Sequence, residues 1–302
     1  MVLESIVDPL LAEKTPRDMF YVGLMYSSIG LILAYFTFGS HASFASIFLT
    51  TMPLVVIMYK TLQLEESKDE KLMHSLQPKK HQKIQNETFL IKEHGKALSL
   101  FVALFLGMVV SYTFWYIVLP LEMENTLFDF QINEIKRIKQ TTMMGDLIDF
   151  NEKTQNSLFI ILENNFRVWC FCIIFSFLYG SGAILILTLN ASIVGVAIGS
   201  AIRNALIRYA PMGNIDFLYN YFGSFSISFC YLIHGIPEIS AYFLGALGGG
   251  IISVAVARHG VKIKSEFIDV TIDSIDLVVL SAVILMLAAV IEVYITPLIC
   301  GM

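Results

Sequence analysis

Uncharged apolar blocks of about twenty residues recur along the chain between short polar stretches, and about twenty residues is what a helix needs to cross roughly 30 Å of hydrocarbon. From Met19 to Tyr59 only His41 titrates near neutrality, inside the polar run Gly39-Ser40-His41-Ala42-Ser43. The pattern predicts a helical hairpin with spans near 19–39 and 43–60. A charged segment from Lys60 to Lys96 reads as a partly helical linker. A third span is predicted over 97–121, with Trp115 and Tyr116 near its far end, where amphipathic rings favour the membrane interface. Residues 122–166 are polar, yet Phe128, Ile132, Ile135 and Ile138 recur at helical spacing beside Glu134, Lys136, Arg137 and Lys139. That predicts a helix lying on the membrane surface or packed on a neighbour.

The uncharged run 168–202 is too long for one span, and Gly180-Ser181-Gly182 and Asn190 divide it into spans near 167–188 and 191–208. The run 217–257 is interrupted by His234-Gly235-Ile236-Pro237-Glu238, which predicts a re-entrant half-helix near 220–233 followed by a full span over 237–257. A last span is expected near 277–298. The fold class that results is an all-α polytopic membrane protein with about seven transmembrane helices plus a broken or re-entrant helix. Its expected parts are an N-terminal amphipathic segment and hairpin over 1–62, a charged cytoplasmic linker over 63–95, and a membrane domain over 96–302 that contains an extracytoplasmic segment, 122–166.

Lysine and arginine bias sets the expected orientation. The linker and the segment with Arg258, Lys262 and Lys264 are basic near span ends, whereas 122–166 holds more acidic than basic residues. The N-terminus is therefore expected in the cytoplasm and the C-terminus outside it, in a multi-pass protein of the cell membrane.

Composition agrees with lipid as the solvent: 56% of the 302 residues are hydrophobic and 15% charged, against about 25% charged in a soluble domain. The first eighteen residues lack a basic start leading into a short apolar core, so no cleaved signal peptide is expected. A net charge of -5 and the lack of a basic and aromatic stripe speak against nucleic acid. The four cysteines, Cys170, Cys172, Cys230 and Cys300, lie in or beside apolar blocks and read as small hydrophobes, neither a disulfide framework nor a metal site. No cofactor is expected.

His234 and Glu238 are the most informative pair. Gly235 and Pro237 between them disfavour a helix, and Pro237 would suit the first turn of the next one, placing Glu238 where free N–H groups favour a carboxylate. An ionisable group at membrane depth costs about 3 kcal/mol unless sheltered, so the pair reads either as a proton or substrate site or as a cap on the break. Glu292 in the last span is either a relay group or a headgroup-level residue. Asn164, Asn165 and Asn190 read as caps at helix ends. Arg167 either snorkels to the interface or pairs with Glu238. Gly195, Gly199, Gly245 and Gly249 belong to small-residue stripes that let helices approach closely. No phosphate-binding loop, His-Glu-x-x-His or Gly-x-Ser-x-Gly motif is present, so no catalytic residue is assigned and an enzyme is the less favoured class.

Asn164-Asn165 before a span, the Gly180 and Gly182 turn, Asn190 with Gly195, and His234-Gly-x-x-Glu238 followed by small residues together resemble the stage II sporulation protein M family of integral membrane proteins, over about 96–302. The resemblance implies a multi-pass fold with one sizeable extracytoplasmic segment after its first span, here 122–166, and matches the family motif at His234 and Glu238. In spore-forming bacteria the named member acts as a membrane scaffold for peptidoglycan-degrading partners. The hairpin over 19–60 and the charged linker are additions to that core. Three functions follow: a scaffold that recruits protein partners through 63–95 and 122–166 and can self-associate, a transporter or channel for a small solute or ion at His234 and Glu238, or an intramembrane enzyme using that pair as acid and base or as metal ligands.

Overall fold

A computed structural model describes the backbone of residues 16–76, 86–143, 150–179, 181–209, 214–259, 265–296 and 298, with side chains chiefly over 16–64, 97–137, 158–179, 181–204, 233–257 and 271–296. The described residues form eight long helices: α1 (Pro16–Phe38), α2 (Ala42–Leu76), α3 (Asn86–Val118), α4 (Leu121–Met143), α5 (Phe150–Tyr179), α6 (Ala183–Tyr209), α7 (Asn214–His259) and α8 (Ser265–Val290). A π-helical turn, Ile291–Ile295, continues α8. Cys230, Cys300, Ile138, Lys139, Arg258, Lys262 and Lys264 lie outside the described side chains.

Among the described residues, six stretches are long and apolar enough to cross a membrane: Pro16–Leu64, Ala97–Val118, Leu158–Tyr179, Ala183–Asn204, Ile233–Ala257 and Thr271–Ile295. The first contains both α1 and α2. Between them a single turn of tight helix, Gly39–His41, reverses the chain, with Gly39 at φ +51°, a left-handed conformation that glycine adopts without a Cβ penalty. Gly30 then lies against Ser46 and Thr50, positions nearly equidistant from the turn, as an antiparallel hairpin requires.

Helix directions can be read from which residues meet. Gly23 lies against Leu104 and Ser28 Oγ is 2.9 Å from Ser111 Oγ, so α1 and α3 run parallel. The same holds for α3 and α6, where Gly195 meets Val109 and Tyr112 while Gly199 meets Tyr116. It holds again for α5 and α7, where Gly245 meets Trp169 and Gly250 meets Ser176. α8 runs against α7: Gly248 meets Ser274, whereas His234 meets Thr296. At Gly23 and Gly107 the α1 and α3 backbones leave no room for a Cβ, because each glycine faces a carbonyl oxygen of the other helix.

Burial is inverted relative to a water-soluble protein. Phe36 is 81% exposed and Phe159 68% exposed, while Ser27, Ser46, Thr50, Gln131 and Ser192 are fully buried. Outside faces of this kind suit lipid. The buried hydroxyls are satisfied within the bundle: Ser27 and Thr50 donate to carbonyls four residues back on their own helices, and Trp115 Nε1 donates to Ser28 Oγ at 3.0 Å.

The helix over 122–143 is packed on the bundle. α4 buries Leu127 and Phe128, and Gln131 bridges Ser43 Oγ at 2.9 Å and Ser192 Oγ at 3.2 Å. Glu124 forms an ion pair with Arg203, whose Nη1 also donates to Tyr116 O at 3.2 Å.

Several sequence expectations are corrected. The re-entrant helix near 220–233 and the break at Gly235 and Pro237 are absent, because α7 is one helix through both residues. Proline removes one hydrogen bond from a ladder of 46 residues, and its fixed φ is already helical, so the segment keeps its winding. Asn190 is not in a turn but inside α6, because the chain reverses earlier, at Ser181 and Gly182. There Ile184 and Leu185 N–H groups bond back to Ser181 and Gly182 carbonyls. Helix continues to Leu76 and resumes at Asn86, within the stretch expected to be a partly helical linker. The last apolar stretch, Thr271–Ile295, overlaps the span expected near 277–298, and its helix begins at Ser265.

Candidate functional site

Four-residue spacing places His234, Glu238 and Tyr242 along one face of α7. His234 and Tyr242 are buried, Glu238 is half-buried, and Tyr242 Oη donates to Glu238 Oε1 at 2.6 Å. The end of α8 and its π-helical turn bring Glu292 and Thr296 to the same place. Thr296 Oγ1 lies 3.2 Å from His234 Nδ1, and Glu292 Oε1 lies 3.7 Å from His234 Nε2.

Thr296 Oγ1 also donates to Ile291 O at 3.1 Å, and the direction of its contact with His234 Nδ1 follows the imidazole tautomer. His234 Nε2 and the Glu292 carboxyl are within ion-pair distance but beyond a direct hydrogen bond, so a proton passes between them only with a small approach or a bridging water. The π-helical turn is what aims Glu292, and such turns concentrate at functional positions.

Two asparagines complete the surroundings. Asn165 of α5, which is 4% exposed, stands beside the Glu238 carboxylate, yet its Nδ2 completes no hydrogen bond of acceptable geometry. Asn190 of α6 donates to Ile186 O at 3.1 Å and lines a cavity of about 120 Å³ with Phe105, His234, Gly235, Glu238 and Tyr242. That volume would hold about four waters at roughly 30 Å³ each. Glu238 and Glu292 lie within electrostatic reach of one another.

Arg167 does not pair with Glu238. It bonds Glu163 Oε1 at 2.7 Å on an exposed face of α5, because four-residue spacing on one helix brings the two together without any burial. Asn164 Nδ2 points at Asn165 Oδ1, 3.5 Å away. Among the described residues no three His, Cys, Asp or Glu side chains converge closely enough to hold a metal ion. Cys172 is buried and Cys170 partly so, both as free thiols. The glycines of the small-residue stripes sit at helix contacts: a Cβ at Gly195 would stand 2.7 Å from Tyr112 Cβ, one at Gly245 2.8 Å from Trp169 Nε1, and one at Gly249 2.8 Å from Ile173 O. Gly199 meets the Tyr116 ring in the same way.

Tyr242 and Thr296 escaped the sequence reading. Each lies four residues beyond a carboxylate, at Glu238 and Glu292, and that spacing was the available signal. The Glu124–Arg203 pair carried no such signal, since its partners are 79 residues apart.

Comparison with known proteins gives one result of substance: the family model for stage II sporulation protein M matches residues 97–297. No curated protein and no solved structure matches the chain.

Proposed function

This chain belongs to the stage II sporulation protein M family, and from that premise we propose that it is a multi-pass membrane transporter or channel in which His234, Glu238 and Glu292 pass a proton through the helix bundle. The observation that carries the proposal is the 3.7 Å approach of His234 to Glu292 beside a small cavity that His234 and Glu238 line together with Asn190 and Tyr242. Ionisable residues within membrane spans tend to mark ion or proton pathways. Arg167 and Arg203 are engaged elsewhere, with Glu163 and Glu124. The spread of the acids favours a proton over a metal ion, which would need ligands converging on one point.

We count α1 and α2 as separate crossings within the first of the six apolar stretches, for a proposed total of seven. An odd count puts the termini on opposite sides, and the basic linker favours a cytoplasmic N-terminus. The test is proton flux in liposomes holding the purified chain, followed with an enclosed pH-sensitive dye. Flux that Glu238→Gln lowers at least tenfold supports the proposal, and wild-type flux no faster than empty liposomes rejects it.

The second reading is a scaffold, the role that the family resemblance implies. It is favoured by α4, a firmly docked helix whose outward face offers Asn133, Lys136 and Arg137 to partners. Substituting those three exposed residues would abolish partner capture in a pull-down while leaving the bundle intact.

A further inference from the structure

Away from the His234 cluster, a groove of about 720 Å³ lies between the start of α2 and the outer helix α4. One wall is Phe44, Phe48 and Met52, spaced four apart and 47%, 45% and 71% exposed. This wall is about 12 Å long at 1.5 Å per residue and belongs to a stretch apolar enough to lie in the bilayer. Phe130 of α4 closes the groove against Phe44, with ring centroids 5.6 Å apart. The rim is polar and holds two carboxylates, Asp129 and Glu134, beside His41, with no lysine or arginine in the lining. Arg137 engages Glu134 Oε2 at 2.8 Å, whereas Asp129 Oδ1 accepts a neutral amide bond from Asn133 at 3.1 Å.

An apolar trough that opens to the lipid-facing surface and ends at a carboxylate has the polarity of a single lipid standing in its leaflet. We infer that this groove binds a phospholipid with a primary-amine headgroup, its ammonium at Asp129 and one acyl chain along Phe44, Phe48 and Met52. The acidic rim selects against lipids whose headgroup is a net anion, because a like charge there is repelled. An ammonium gains instead a charge-assisted hydrogen bond.

The experiment places the full chain in nanodiscs made from equal parts phosphatidylethanolamine and phosphatidylglycerol. Lipid that stays bound after detergent extraction is then weighed by native mass spectrometry. The expected result is phosphatidylethanolamine enriched up to about fivefold over the bulk ratio, the scale of a partly exposed charge contact. Enrichment should vanish in Asp129→Asn, an exposed substitution that leaves the core of α4 untouched. Met52→Trp, which fills the trough from the lipid side, should lower the bound lipid of both kinds. Equal retention of the two lipids by the wild type, a preference for phosphatidylglycerol, enrichment that survives Asp129→Asn, or a lipid-free dimer would each overturn the inference.

Discussion

Glu124 and Arg203 form a matched charge pair where α4 meets α6, and the guanidinium has a backbone carbonyl as its second acceptor. His234, Glu238 and Glu292 instead gather two acids and an imidazole, with a tyrosine hydroxyl, a threonine hydroxyl and an amide whose Nδ2 completes no hydrogen bond around them. The first cluster is electrostatically closed and the second is open. A closed pair holds structure, since removing either partner strands a buried charge. An open cluster has spare protonation states, which is what a proton pathway needs, while its contacts tie α7 to the end of α8.

The largest effect is expected at the closed pair. Arg203→Ala should destabilise the protein by about 3 kcal/mol, the usual result of stranding a buried partner, read as thermal unfolding in detergent. A loss well under 1 kcal/mol would reduce the pair to the rank of a surface contact. Next comes Gln131→Leu, which removes two hydrogen bonds from a fully buried side chain and should cost about 1–2 kcal/mol, leaving α4 more open to protease. At the open cluster, Glu238→Gln and Glu292→Gln should each change stability by no more than about 1 kcal/mol, since the amide keeps the shape and sheds a desolvated charge. Stability losses there as large as that of Arg203→Ala would erase the distinction and make the cluster structural. The smallest effect is expected at Asn165→Leu, which replaces an amide whose donor is unpartnered. Stability should stay level or rise slightly, and a marked loss in the same melting assay would mean that the amide is engaged after all.

Much of the architecture was legible because lipid leaves the chain few choices. Uncharged blocks of about twenty residues must be helices, and Gly39-Ser40-His41 between two such blocks leaves room for little but a turn. What misled was punctuation: Gly235 and Pro237 would end a helix in water, but within α7 they do not. The same overweighting of polar residues placed a turn at Asn190, which α6 passes straight through. For the site, the spacing of His234 and Glu238 was visible, whereas the approach of Glu292 depends on α8 running against α7 and on a change of winding near its end. No local pattern encodes either. Arg203 and Glu124 were legible only as charges near span ends, since their meeting depends on α4 folding back over α6.

The winding at Ile291–Ile295 separates chain length from side-chain position near the site. A π-helical turn holds one residue more than the α-helical turn it replaces, and one residue corresponds to about 100° of rotation. Loss of one codon between Glu292 and Thr296 would restore regular winding and leave Thr296 near its present face, so His234 would keep its neighbour. Regular winding of the same residues without a deletion would instead swing Thr296 away from His234, so a change of winding alone would disable the cluster with every side chain still encoded.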